Sequence, residues 1–161
     1  MNGKTAMLLL LAGVSLALTL GAANAAQAAP IVAQVGGGGI AVFDAPDAAQ
    51  YLGMTTPFGI GVTLRSDGSA MGHFECLITG VLANSVHVTS GSVNADGSVT
   101  FSGPGTVHFA GGGVFLCPLE TIVVTAGGPG VGTFCIGPPS PGDTVCDHET
   151  VVNGNISIHA P

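Results

Sequence analysis

From Ile31 onward the chain alternates apolar and polar residues in short runs, and Gly, Asn, Asp or Pro closes each run. Successive side chains of an extended strand point to opposite faces, so a period of two describes half-buried β-strands. A 3.6-residue period is nearly absent, which leaves no long amphipathic helix to cover the apolar face of a sheet. That face then has to be hidden by closure or by a second layer. The pattern predicts an all-β fold, a single antiparallel β-barrel or two-layer β-sandwich of about eight strands.

Turn chemistry places the strand ends. Arg65-Ser66-Asp67-Gly68-Ser69 predicts a hairpin between strands at 59–64 and 71–79, because Asp-Gly accepts the positive φ of a tight turn. Asn94-Ala95-Asp96-Gly97 predicts a second, between 86–93 and 98–102, and Gly127-Gly128-Pro129-Gly130 separates 120–125 from 132–136. Residues 44–53 break the pattern. Asp44 is a candidate N-cap, Pro46 suits a first helical turn and Gly53 a stop, so a short helical turn is expected there.

Parity assigns the faces. Phe74, Cys76 and Ile78 share one side, as do Val86 and Val88, Val99 and Phe101, Val107 and Phe109, and Ile156 and Ile158, and these are the expected core. His73, Glu75, His87, Thr89, His108 and His159 take the opposite parity, so four of the five histidines are expected on the outer wall.

Charge narrows the function classes. The chain has two basic residues, Lys4 and Arg65, against nine carboxylates. A nucleic-acid partner is excluded as an expectation, because neutralising phosphates takes several Lys or Arg along one surface. Anionic lipid surfaces are excluded for the same reason. Residues 1–28 read as a signal peptide: Lys4 supplies the positive start, an apolar run follows from Ala6 to about Leu20, and Ala23-Asn24-Ala25 and Ala26-Gln27-Ala28 are cleavage sites. The apolar run is about fifteen residues, short of the roughly twenty a spanning helix needs, so no stable membrane insertion is expected after cleavage. Residues 29–161 are then one secreted or periplasmic β-domain of ordinary size.

Cys76, Cys117, Cys135 and Cys146 all fall in that domain, and an even count in an oxidising compartment predicts two disulfides. Of the three connectivities, Cys135 with Cys146 would staple the Pro-rich loop at 137–142, which leaves Cys76 with Cys117. Zinc coordination by these thiols is not expected, since no C-x-x-C pair exists.

The order of three segments carries a resemblance: Gly72-His73-Phe74-Glu75-Cys76, then Asp96-Gly97-Ser98-Val99-Thr100-Phe101-Ser102-Gly103, then Gly127-Gly128-Pro129-Gly130-Val131-Gly132-Thr133. With these the chain resembles a loose group of small secreted bacterial β-proteins of uncharacterised function. The resemblance implies an exported all-β domain and carries over no functional residue.

No catalytic residue is expected. There is no G-x-S-x-G elbow, and Glu75 with Glu120 is the one acid pair to weigh for a glycosidase. Asp143, Asp147 and Glu149 are candidates for calcium but sit in no recognised loop pattern, so solvated loop acids are expected. Cys146-Asp147-His148-Glu149 does not converge in a strand, where its members alternate between faces. The sequence therefore points to a non-catalytic domain with a structural or interaction role at the bacterial envelope or exterior, needing no cofactor. The alternative is a ligand-binding module that takes a metal ion through His73, His87 and His108, or a saccharide or small apolar ligand.

Overall fold

The structure, a computed structural model, describes residues 28–44, 50–137 and 147–161. Its strands are β1 Ile31–Phe43, β2 Thr55–Arg65, β3 Ser69–Ile78, β4 Leu82–Val93, β5 Val99–Phe109, β6 Val114–Thr125, β7 Thr133–Gly137 and β8 Asp147–His159. Each pairs antiparallel with the next and β8 returns to β1, so the sheet closes into an up-and-down barrel. Closure removes the free edges that an all-β chain without covering helices would otherwise expose.

The three turns fall where their residues require them. Gly68 and Gly97 take φ of +82° and +84°. In each of these two hairpins the Asp carboxylate accepts from both the backbone N–H and the hydroxyl of the Ser two residues on, at 3.0 and 2.6 Å. Gly130 N–H and Gly132 N–H bond back to Val151 and Gly128 in the third. The helical turn expected at 44–53 falls largely on 45–49, which lie outside the described residues, and 50–53 form a plain turn.

Parity names the core correctly over most of the sheet. Phe74, Val86, Val88, Val99, Phe101 and Ile156 are all buried, joined by Leu64, Ile122, Val124, Phe134 and Val151. Phe134 meets Phe58 and Phe74 at centroid distances of 5.0 and 5.4 Å. Val107 and Phe109 are exceptions: both have the inward parity, but Val107 is only half-buried and Phe109 is 44% exposed. Their strand outruns the packed interior, and alternation carries no information about how far that interior extends.

The seam between β1 and β8 depends on glycine. Gly39 stands opposite Gly154, whose φ is +96°, and a Cβ on Gly154 would run into the carbonyl oxygen of Gly38. Gly154→Ala is therefore expected to cost at least about 1–2 kcal/mol through the left-handed backbone alone, read as a lower urea midpoint with an unchanged far-ultraviolet spectrum.

Candidate functional site

The last residues of β1, β3, β5 and β7 and the first of β2, β4, β6 and β8 lie at one end of the barrel, its mouth. Below the mouth, the buried inward-pointing side chains among the described residues that are not hydrocarbon include Thr56, Cys76, Asn84, Glu120 and Glu149. A small apolar cluster around Phe43 and Ile78, with Tyr51, Met54, Val81 and Leu82, sits at the rim. Cys76 comes two positions below Ile78 on β3, and Asn84 two below Leu82 on β4.

Asn84 and Glu120 reach one another across β5. The Asn84 amide donates to Glu120 Oε1 at 2.5 Å. Gly105 lies between them and makes room, because a Cβ there would collide with the Glu120 carboxylate. That bond leaves much unmade. Asn84 Oδ1, Glu120 Oε2, Thr56 Oγ1 and both oxygens of Glu149 are buried without a hydrogen-bond partner among the described residues. Each such group forfeits about 1–3 kcal/mol of solvation.

The electrostatics follow from that isolation. Burial pushes the Glu149 carboxyl up to about 8; the Thr56 hydroxyl, near but outside hydrogen-bonding geometry, pulls the other way, and the charges of Asp147 and Asp44 add to the rise. Burial likewise raises Glu120 and Asp147. The Cys76 thiol is driven well above its ordinary value by burial and then by Glu149, Glu120 and Asp147, so it stays protonated at neutral pH and is no nucleophile.

Asp44 belongs to a different arrangement outside the lumen. It accepts from the Thr150 hydroxyl at 2.6 Å and meets His148 Nδ1 at 2.5 Å. Partial burial opposes ionisation there, but the Thr150 and His148 bonds outweigh it and hold the Asp44 carboxyl below its usual value.

The outer wall differs on its β5–β6 side. β7 stops at Gly137, opposite Thr121, so among the described residues no strand continues beside residues 114–120 on the far side from β5. A register shift between Gly103 and Gly105 adds a residue on β6 at Pro118 and Leu119, where proline's missing N–H is harmless. The hairpin tip consequently exposes apolar groups of both parities: Phe109, Val114, Phe115 at 58%, Leu116 at 70%, and Leu119. Beside it lies an open groove of about 380 Å³ lined by Pro57, Glu75, Leu77, Ser85 and His108 among others. An adjoining groove of about 240 Å³ shares Leu77, Ala83 and His108.

The expected site residues distribute as follows. His73 and His87 are direct cross-strand partners on the outer wall, but His108 pairs with Ala83, well up β5 toward the mouth. The three do not form a centre, and no group of three His, Cys, Asp or Glu among the described residues is placed to hold a metal ion. His73 meets Glu75 at 3.5 Å, an exposed pair of little energetic weight. Glu75 faces out and Glu120 faces in, so the barrel wall separates the two acids weighed for a glycosidase.

The expected Cys76–Cys117 disulfide is absent: both are free thiols. Cys76 is on β3 and Cys117 on β6, three strand spacings or roughly 14 Å apart along the sheet, beyond the reach of a disulfide. The Cys117 thiol instead donates to Leu119 O at 3.2 Å. Cys146, and with it the expected Cys135–Cys146 bridge, lies outside the described residues, as does Asp143.

Glu149 is fully buried and is no solvated loop acid. The signal for it was parity, since Glu149 shares a face with Val151, and Glu120 shares one with Ile122 and Val124. Comparison with protein-family models, with curated protein sequences and with solved structures finds no match to this chain.

Proposed function

We propose that this chain is an exported, non-catalytic β-barrel that serves an interaction role, docking another protein on the outer face around the β5–β6 tip. One observation carries the reading: the cluster of Phe109, Val114, Phe115, Leu116 and Leu119, exposed on both faces of a projecting hairpin and continuous with an open groove. Contiguous exposed apolar surface is costly in water and marks an interaction site. Elsewhere the outer wall carries His73, Glu75, His87 and Thr89 among exposed apolar residues such as Ile40, Met71 and Val152, over an apolar interior, and such polar and charged positions do not suit the lipid face of a membrane-spanning barrel.

Charge argues for a different protein as the occupant. Two copies of a chain with nine acids and two basic residues repel one another, whereas Glu75 beside the groove suits a partner with an apolar centre and a basic rim. A photo-crosslinker at Leu116, used in the native extracytoplasmic fraction, identifies the partner, and calorimetry with the purified pair measures affinity. Leu116→Glu is expected to weaken binding about 30-fold or more, and added salt to weaken it further. Ile40→Glu on β1, across the barrel from β5, is expected to leave it unchanged. A partner indifferent to Leu116→Glu, or a self-dimer that this substitution dissolves, overturns the reading.

A further inference from the structure

Two histidines face one another on the outer wall. His73 on β3 is the direct cross-strand partner of His87 on β4, and both are exposed. Directly opposed residues on one face of an antiparallel pair have Cβ atoms about 4.5–5.5 Å apart, a span that two imidazoles bridge when they share one metal ion. Glu75 lies on the same face of β3, two positions on.

Two of these three donors already stand as a ligand pair does. His73 Nε2 and Glu75 Oε2 are 3.5 Å apart. Two ligands of a tetrahedral zinc ion, each about 2.0–2.1 Å from the metal, are separated by roughly 3.3 Å. As the side chains stand, no three such residues among the described ones surround a common point, so His87 has to turn toward His73 to complete the set. It is an exposed side chain opposite its target, and such side chains change rotamer within nanoseconds.

The neighbouring strand leaves room for an ion. The β2 partners of His73 and Glu75 are Gly61 and Gly59. A Cβ at Gly61 would meet nothing within 4 Å, so the space beside His73 is open, and one at Gly59 would press on the Glu75 carboxylate at 3.4 Å. Charge favours a cation as well. Outside residues 1–28, nine carboxylates are set against one strong base, Arg65, whose guanidinium is engaged by Ala29 O. Two imidazoles with one carboxylate suit zinc, whereas calcium and magnesium take oxygen ligands.

We propose that His73, His87 and Glu75 form a surface binding site for zinc(II), with the fourth position left to water. His108 takes no part, since it stands opposite Ala83 well up β5. The site uses none of the apolar residues at the β5–β6 tip and is independent of docking there.

The test is calorimetry on the full exported domain with zinc chloride, with the histidine ring signals followed by NMR. One ion per chain is expected, with a dissociation constant on the order of 1–100 µM, and the rings that shift are those of His73 and His87. His73→Ala and His87→Ala, each shown folded by circular dichroism, are each expected to weaken binding about 30-fold or more, because the chelate is lost. Glu75→Gln is expected to weaken it about tenfold, and His108→Ala and Leu116→Glu to leave it unchanged. Four results overturn the proposal: no saturable zinc binding up to about 1 mM, equal binding of calcium, binding that either His73→Ala or His87→Ala leaves intact, or binding that His148→Ala abolishes, which would place the ion at the Asp44–His148 contact instead.

Discussion

Truncating Phe134 to alanine is expected to lower the unfolding free energy by about 3–5 kcal/mol, the cost of removing a buried aromatic side chain and leaving a cavity. The size of the effect comes from its position. β7 has five residues, and Phe134 is the one among them that is fully buried. Through it β7 is held to Phe58 on β2 and Phe74 on β3, and Phe74 in turn meets Phe101 on β5 at 6.3 Å. β7 is also the shortest link in the ring, pairing over five residues with β6 and four with β8. Losing its anchor therefore weakens closure as well as packing. Against a typical total of about 5–15 kcal/mol, such a loss leaves a marginal fold. Urea denaturation followed by circular dichroism measures it, with Phe115→Ala as the comparison. Phe115 is 58% exposed, and its truncation is expected to change stability by about 0.5 kcal/mol or less. Equal effects at the two positions would mean that the Phe134 cluster does not hold the ring together.

The contrast between those phenylalanines marks where sequence reading succeeds. Asp67-Gly68, Asp96-Gly97 and the 127–130 turn were legible because a hairpin is decided by two to four adjacent residues and their side-chain bonds to neighbouring backbone. Parity was legible because pleating fixes it. The choice of barrel over sandwich was not, since it depends on β1 meeting β8 more than a hundred residues away, through glycines whose close approach no local pattern reveals. The reach of the core was not legible either, since among the described residues no strand lies beside 114–119 on the side away from β5, and most of them stand exposed. Cys76 and Cys117 were paired by elimination, and spacing along a chain says nothing of distance across a barrel. Glu120 and Glu149 could have been placed inside by the same parity that placed Ile122 and Val151. Their charge argued for solvent, and the fold overrode it.

That override has a pH signature. Glu149 titrates near 8 in the folded chain, against 4.5 for an unperturbed carboxyl. Between those values the folded state holds a proton that the unfolded state has released, so stability must fall as pH rises from about 4.5 to about 8, and level off above. The loss is on the order of 5 kcal/mol for Glu149 alone. Glu120 and Asp147 are raised too and act in the same direction. Asp44 acts oppositely: its lowered pKa contributes stability that is present above its ordinary value of 3.8 and is lost as pH falls further. The optimum is therefore expected near pH 4–5, on the acid side of the usual range of about 5–8. Glu149→Gln keeps the shape and removes the titration. It is expected to flatten most of the slope and, at about pH 8.5, to be more stable than the unsubstituted chain by several kcal/mol. Urea midpoints at three or four pH values between 5 and 8.5 measure both curves. A parent chain whose stability is level or rising over that interval, or a Glu149→Gln variant that keeps the full slope, would show that the Glu149 carboxylate is solvated in the folded barrel.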